Sequence, residues 1–168
     1  MVKGAVKRVL AIDPFSRGVA FAVLEGPENL IDWGIRSTGK ANNEKAARLI
    51  EKLIDRYHPD VLALENWEAA GARRCQRVDL LLNYIASHEE GRVRVQLVSR
   101  RQILAIGPLP HASTKHGRAS LLAERFPELQ AFLPPVRRIW EAENPRINVF
   151  DALAFAAACF PAKNGRST

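Results

Sequence analysis

The apolar and polar residues of the chain alternate between strand-like and helix-like signatures. Residues 8–13 and 19–25 are nearly unbroken apolar runs, separated by the turn-forming cluster Pro14-Phe15-Ser16-Arg17-Gly18. With a weaker run at residues 30–37, they predict three strands in an antiparallel meander, the first ending on Asp13. The period then changes. Ala46, Leu49, Ile50, Leu53, Ile54 and Tyr57 recur three and four residues apart, predicting an amphipathic helix over 43–57, capped by Asn42 or Asn43 and stopped at His58-Pro59. VLALE, residues 61–65, is apolar on both faces, as befits a strand buried within a sheet. A helix over 69–88 gathers Val78, Leu81, Leu82 and Ile85 on one side. Residues 93–99 alternate as a fifth strand, and a short helical piece begins at Arg100. Ser113 is placed to cap a helix over 114–126. Residues 127–146, with four prolines, read as loop, and a last helix covers roughly 147–160.

This order, β-β-β-α-β-α-β-α-α with the short helical piece set aside, has helical crossovers between its later strands. It predicts an α/β fold, a mixed five-stranded sheet with helices on both faces. A chain of 168 residues fits one domain, assigned to residues 1–162 with a flexible tail at 163–168. The longest uninterrupted apolar run, residues 152–160, is too short to span a bilayer, which needs about 20 residues. Asp13 interrupts the only candidate signal-peptide core. The two cysteines, Cys75 and Cys159, lie far apart and form no metal-binding pair. A soluble, cytoplasmic protein with no membrane association is expected.

Charge narrows the partner class. The formal net charge is +7, and residues 61–139 hold 12 Lys and Arg against 7 Asp and Glu. The excess lies mid-chain rather than in a basic tail, and it includes Arg73, Arg74, Arg77, Arg92, Arg94, Arg100, Arg101, Lys115 and Arg118. Such a surplus favours a polyanion such as nucleic acid, although a merely solvated face would carry the same residues. His58, His88, His111 and His116 have no zinc-pair spacing and read as structural or solvated.

Three acids stand out against apolar surroundings: Asp13 at the end of the first strand, Glu65 at the end of the fourth, and Asp151 inside NVFDALAFAAACF. Each has a structural explanation, as an Asx turn before Pro14, a loop cap or Arg partner, and a first-turn acid on a helix dipole, respectively. Taken together they suggest more. If the first and fourth strands are parallel neighbours, both acids emerge at the carboxyl edge of the sheet, where α/β folds place ligands. Converging carboxylates repel one another, and a hard divalent cation such as Mg²⁺, or Mn²⁺ in its stead, cancels that repulsion.

IDPFSRGVAFAVLEG, VLALEN and FDALAFAAA resemble, in order, the three acid-bearing segments of the RuvC family of Holliday-junction resolvases, within the ribonuclease H-like superfamily. SRRQILAIG and ASTKHGRASLL are similar to that family's basic segment and lysine-bearing helix start, so the likeness runs from about residue 8 to residue 160. The resemblance implies a ribonuclease H-like fold and a metal-dependent, structure-selective endonuclease that resolves four-way DNA junctions as a homodimer. It implies that Asp13, Glu65 and Asp151 are catalytic metal ligands, with Lys115 as a functional lysine beside them. It also implies that Arg100 and Arg101 meet the phosphate backbone.

Two ions would straddle the scissile phosphate. Asp13 would bridge them, Glu65 would hold one, and Asp151 with Asn148 the other, leaving a 5′ phosphate and a 3′ hydroxyl. The sequence also departs from the pattern. Asn148 stands where the family has a fourth acid or a histidine, one helical turn before Asp151, and Glu141 or Glu143 would have to swing in to restore the charge, which nothing in the sequence shows. Phe15 replaces a glycine, and Trp67 lies one residue before the position of a junction-wedging aromatic. Three other readings stay open: a nuclease of another branched DNA or of RNA, a catalytically weakened nucleic-acid-binding module, and an actin-like or sugar-kinase ATPase, for which the chain is short.

Overall fold

The structure, a computed structural model, describes residues 5–69, 75–106 and 114–161. Five strands form one sheet: β1 (Arg8–Phe15), β2 (Gly18–Glu25), β3 (Leu30–Ser37), β4 (Val61–Glu65) and β5 (Arg94–Val98), in the spatial order β3-β2-β1-β4-β5. β1, β2 and β3 pair antiparallel, as short turns between apolar runs require, whereas β4 pairs parallel to both β1 and β5. The two parallel connections pass through α1 (Asn43–Tyr57) and α2 (Gln76–Glu89). After β5 come α3 (Arg100–Leu104), α4 (Lys115–Arg125), a 3₁₀ segment (Pro127–Phe132) and α5 (Ile147–Ala158).

Alternation along β1 sends its side chains into two separate cores. Leu10 and Ile12 pack with Ile50, Leu53 and Ile54 of α1 and with Leu82 and Ile85 of α2. Val9 and Ala11 face the other way, onto α4 and α5. The expected mixed sheet with helices on both faces is therefore the observed one. β1 and β4 lie between the two layers and are buried almost throughout, which explains why neither shows an apolar-polar alternation.

Local chemistry sets the ends of the elements. Asn42 caps α1 by accepting from the Lys45 amide at 3.0 Å, and His58 ends the helix in the left-handed conformation at φ 44°. Four sequence expectations are corrected. β1 continues through Pro14 to Phe15, so Asp13 lies within the strand, opposite Ala20 of β2; the hairpin keeps pairing through Phe15 and Gly18. Thr114, not Ser113, caps α4, through the Gly117 amide at 2.9 Å; Ser113 lies outside the described residues. The proline-rich stretch after α4 opens with a 3₁₀ segment started by Pro127, and Leu129 anchors it in the core. The second helix begins at Gln76, residues 70–74 being outside the described residues.

The hairpin carrying Asp13 tolerates no side chain at Gly18. A Cβ there would stand 2.5 Å from the backbone oxygen of Arg36 on β3. Gly18→Ala is expected to lower stability by about 1–3 kcal/mol through overpacking, read as a lower urea midpoint.

Candidate active site

The parallel register of β1 and β4 fixes the first two acids. Ala11 lies beside Ala63, and Asp13 and Glu65 each follow two residues on, at one level of neighbouring strands. By the same alternation both belong to the face that carries α4 and α5. Asp13 is fully buried, at 0% exposure. A buried carboxylate costs several kcal/mol unless compensating polar or charged groups surround it.

α5 brings the third acid. Its alanines, Ala152, Ala154, Ala156 and Ala157, are buried against the sheet, and their small side chains let the helix lie close to β1 and β2. Asp151 is the charged residue of this otherwise apolar helix, and its side chain is 22% exposed. Asn148 is one turn before it. A cavity of about 470 Å³ opens here, and its polar wall consists of Glu65, Asn148, Asp151, Lys115, Arg118 and Arg100. The buried Asp13 does not itself line the opening.

Lys115 is the first residue of α4, held there by the Thr114 cap. Its ammonium lies 2.9 Å from Glu143 Oε1 and 3.3 Å from Asp151 Oδ2. Burial pulls the Lys115 pKa down, but Asp151, Glu143 and Asp13 together outweigh it and hold the group above its ordinary value. The acids and the lysine thus share one electrostatic environment, with Lys115 supplying positive charge to three carboxylates.

The remaining predicted residues divide by location. Arg100 lines the cavity and Arg101 is exposed beside it on α3. Ser99 caps that helix in a reciprocal box with Gln102, which orients the pair. Arg77 is engaged in the fold: its guanidinium donates to Asn43 Oδ1 at 2.8 Å and to the Phe15 carbonyl at 3.4 Å. Trp67 packs against the α1/α2 core, on the sheet face opposite the acids. Arg73 and Arg74 lie outside the described residues.

The sequence counts Arg118 only within the basic surplus, and it offers Glu143, with Glu141, only as an acid that would swing in beside Asn148. Arg118 follows Lys115 by three residues, and that spacing on a helix was a usable signal. Glu143 meets Lys115 across 28 residues of chain, for which no local pattern exists.

Asp13, Glu65, Asp151 and the amide of Asn148 offer only oxygen donors, the chemistry of a hard divalent cation, but the three acids are not a group whose ligand atoms all lie within 4.8 Å of one another. A different group, Glu51, His88 and Glu89, brings its ligand atoms within 4.8 Å of one another on the α1/α2 side. Its buried Glu89 is already ion-paired with Arg92 at 3.1 Å.

The sequence matches no protein-family model and no curated protein. Solved structures do match. Thermus thermophilus RuvC bound to a Holliday junction substrate superposes with a TM-score of 0.60 at 17% identity, covering 90% of this chain and 91% of that one. Thermus thermophilus RuvC in a second structure gives 0.60 at 18% identity, covering 90% and 92%. The yeast mitochondrial Holliday junction resolvase Ydc2 gives 0.54 at 15% identity, covering 91% and 77%. The likeness read from the sequence therefore holds at the level of fold, which is ribonuclease H-like.

The raised Lys115 pKa has a definite linkage sign. Its contribution to stability is present in full below the ordinary value of 10.5 and is lost as pH rises through the raised one. The stability difference between wild type and Lys115→Met, measured by urea unfolding, is expected to be largest near neutrality and to shrink above pH 10.5.

Proposed function

We propose, from a fold shared with junction resolvases, that this chain is a metal-dependent endonuclease that hydrolyses phosphodiester bonds in branched DNA, four-way junctions foremost. One observation carries the reading. Acids from three separate elements, β1, β4 and α5, share one face of the sheet beside a cavity walled by Lys115, Arg118 and Arg100. An acid cluster under a cationic wall suits a substrate that is a phosphate and a cofactor that is a cation.

Asp13, Glu65, Asp151 and Asn148 would hold Mg²⁺, or Mn²⁺ as its substitute. Bound there, divalent ions supply Lewis-acid chemistry, activating water and offsetting charge on the phosphate. The protein's own groups do the rest. Asp13, fixed in a strand by its hairpin, is a rigid ligand. Lys115 stands 3.3 Å from Asp151, within reach of a phosphate oxygen that enters the cavity, and the positive end of the α4 dipole lies beside it. Arg118 and Arg100 flank the same space, and Arg101 extends the cationic surface outward. Asn148 ligates without adding charge, so the cation it shares with Asp151 is held less tightly than an all-carboxylate set would hold it.

Symmetric cutting of a junction requires two such sites, and we assign a homodimer. α2 buries its Leu81, Leu82 and Ile85 in the core and leaves Leu80 and Tyr84 exposed, a surface suited to that contact. No helix among the described residues is long and apolar enough to cross a membrane. A second reading, a binding module with weakened catalysis, is favoured by the neutral Asn148 at a ligand position.

The test is a cleavage assay with Mg²⁺ or Mn²⁺ on labelled four-way junction, flap, duplex and RNA–DNA hybrid substrates. Paired symmetric nicks in the junction are expected, and Asp13→Asn should abolish them while leaving DNA affinity intact. Persistent cleavage by that variant would overturn the site assignment. Tight binding with no cutting of any substrate would favour the binding module, and cutting of a different substrate would keep the chemistry and change its target. Affinity should also fall steeply with salt, as expected when about six to ten phosphates are neutralised; a flat salt response would remove the cationic surface from the account.

A further inference from the structure

Between the 3₁₀ segment and α5 the chain makes an excursion that the catalytic reading does not use. Both of its roots are held by consecutive residues of α4. His116 Nε2 meets the Pro134 carbonyl at 2.8 Å, and Lys115 binds Glu143 at 2.9 Å. Between these roots, residues 135–142 are all exposed. The tip is closed by a small turn, in which the Arg138 amide donates to the Glu141 carboxylate at 3.0 Å and the Glu141 amide to the Arg138 carbonyl at 3.0 Å.

The tip has an unusual composition for a solvated loop. Val136, Ile139 and Trp140 are 71%, 93% and 75% exposed, and Arg137 and Arg138 lie between them. The Arg138 guanidinium stands 5.7 Å from the centre of the Trp140 ring. Three large apolar side chains this close together and this open to water mark a surface that meets a partner. The interleaved arginines specify a partner that is both anionic and flat-faced. The loop is rooted on Lys115, which lines both the cavity beside the acids and the groove under Val136 and Arg137, so the two openings meet at one side chain.

We propose that the 135–142 loop is a binding site for unpaired nucleotides of the nucleic-acid substrate, with Trp140 stacking on an exposed base and Arg137 and Arg138 on the adjoining phosphates. This rests on the nuclease reading for the identity of the polyanion and adds a feature of the substrate: strand that has left the duplex near the scissile bond. Paired DNA hides the faces of its bases within the stack. Unpaired strand offers them, and stacking of one base on an aromatic ring accounts for a large share of single-strand affinity whatever the base. Trp67 is instead partly buried against the core on the opposite face of the sheet.

The experiment uses the full chain in EDTA, so that no probe is cut, with fluorescein-labelled oligothymidylate and a blunt duplex of equal length read by anisotropy. Trp140→Ala is expected to weaken oligothymidylate binding about tenfold and duplex binding by no more than about twofold. Trp140→Phe, which keeps a ring, should recover most of the loss. Unchanged oligothymidylate affinity, or equal losses on both probes, overturns the proposal. So does a sedimentation result in which wild type is a dimer and Trp140→Ala a monomer with unaltered DNA affinity, because the patch would then be covered by a second copy of the chain. Cleavage with Mg²⁺ reports on the nuclease reading separately. Cutting together with an indifferent Trp140 overturns the loop alone, whereas a selective tenfold loss without cutting upholds the loop and overturns the nuclease.

Discussion

A carboxylate at zero exposure inside an apolar strand is the constraint around which the rest of this molecule is arranged. Asp13 sits between a β-hairpin on one side and a parallel neighbour on the other, with α5 across its face. A charge in such a place must be compensated by the elements around it, or the strand would be more stable with a leucine. The compensation is long-range in sequence: a helix start brings the cationic Lys115, whereas β4 brings Glu65 to the same level and adds a second negative charge that a cation must offset. The site and the fold are therefore one electrostatic problem, and the sheet topology is its geometric solution.

The apolar helix α5 shows how packing serves this arrangement. A helix that is apolar all round belongs in a core, and α5 lies there, nine of its twelve residues buried. Because so many of those residues are alanine, the helix approaches the sheet closely and its one acid reaches the sheet edge instead of solvent. Asn148 and Asp151, a turn apart, then share the cavity with Glu65. Larger side chains on the buried face would lift the helix and carry Asp151 away from the other acids.

Much of this was legible before any coordinates, and the reasons are physical. Strong periodicity placed α1 over residues 43–57, and the unbroken run VLALE could be nothing but a strand buried on both faces. The parallel pairing of β1 with β4, the step that brings Asp13 and Glu65 to one level, stood in the sequence only as a condition, and the structure supplies it. What escaped was decided by tertiary contact. Pro14 suggested that β1 ended at Asp13, yet the hairpin holds its pairing through Phe15. Arg77 looked like part of a phosphate-binding cluster and instead ties α2 to Asn43 and the hairpin. Trp67 lay one residue from an informative position and faces the other core. Glu143 was visible only as a spare acid near Asn148, and its pairing with Lys115 had no signature because the lysine lies in another segment.

That lysine is a single ammonium divided between two carboxylates, Glu143 at the root of a loop and Asp151 in the acid cluster. A divided cation makes two places one equilibrium. Whatever changes the hold of Lys115 on Asp151 changes its hold on Glu143 by the same coupling free energy, and the reverse holds equally. Reciprocity of this kind needs no moving domain and no second conformation of the sheet. One side chain, placed where two segments meet, ties the root of the loop to the acid on α5.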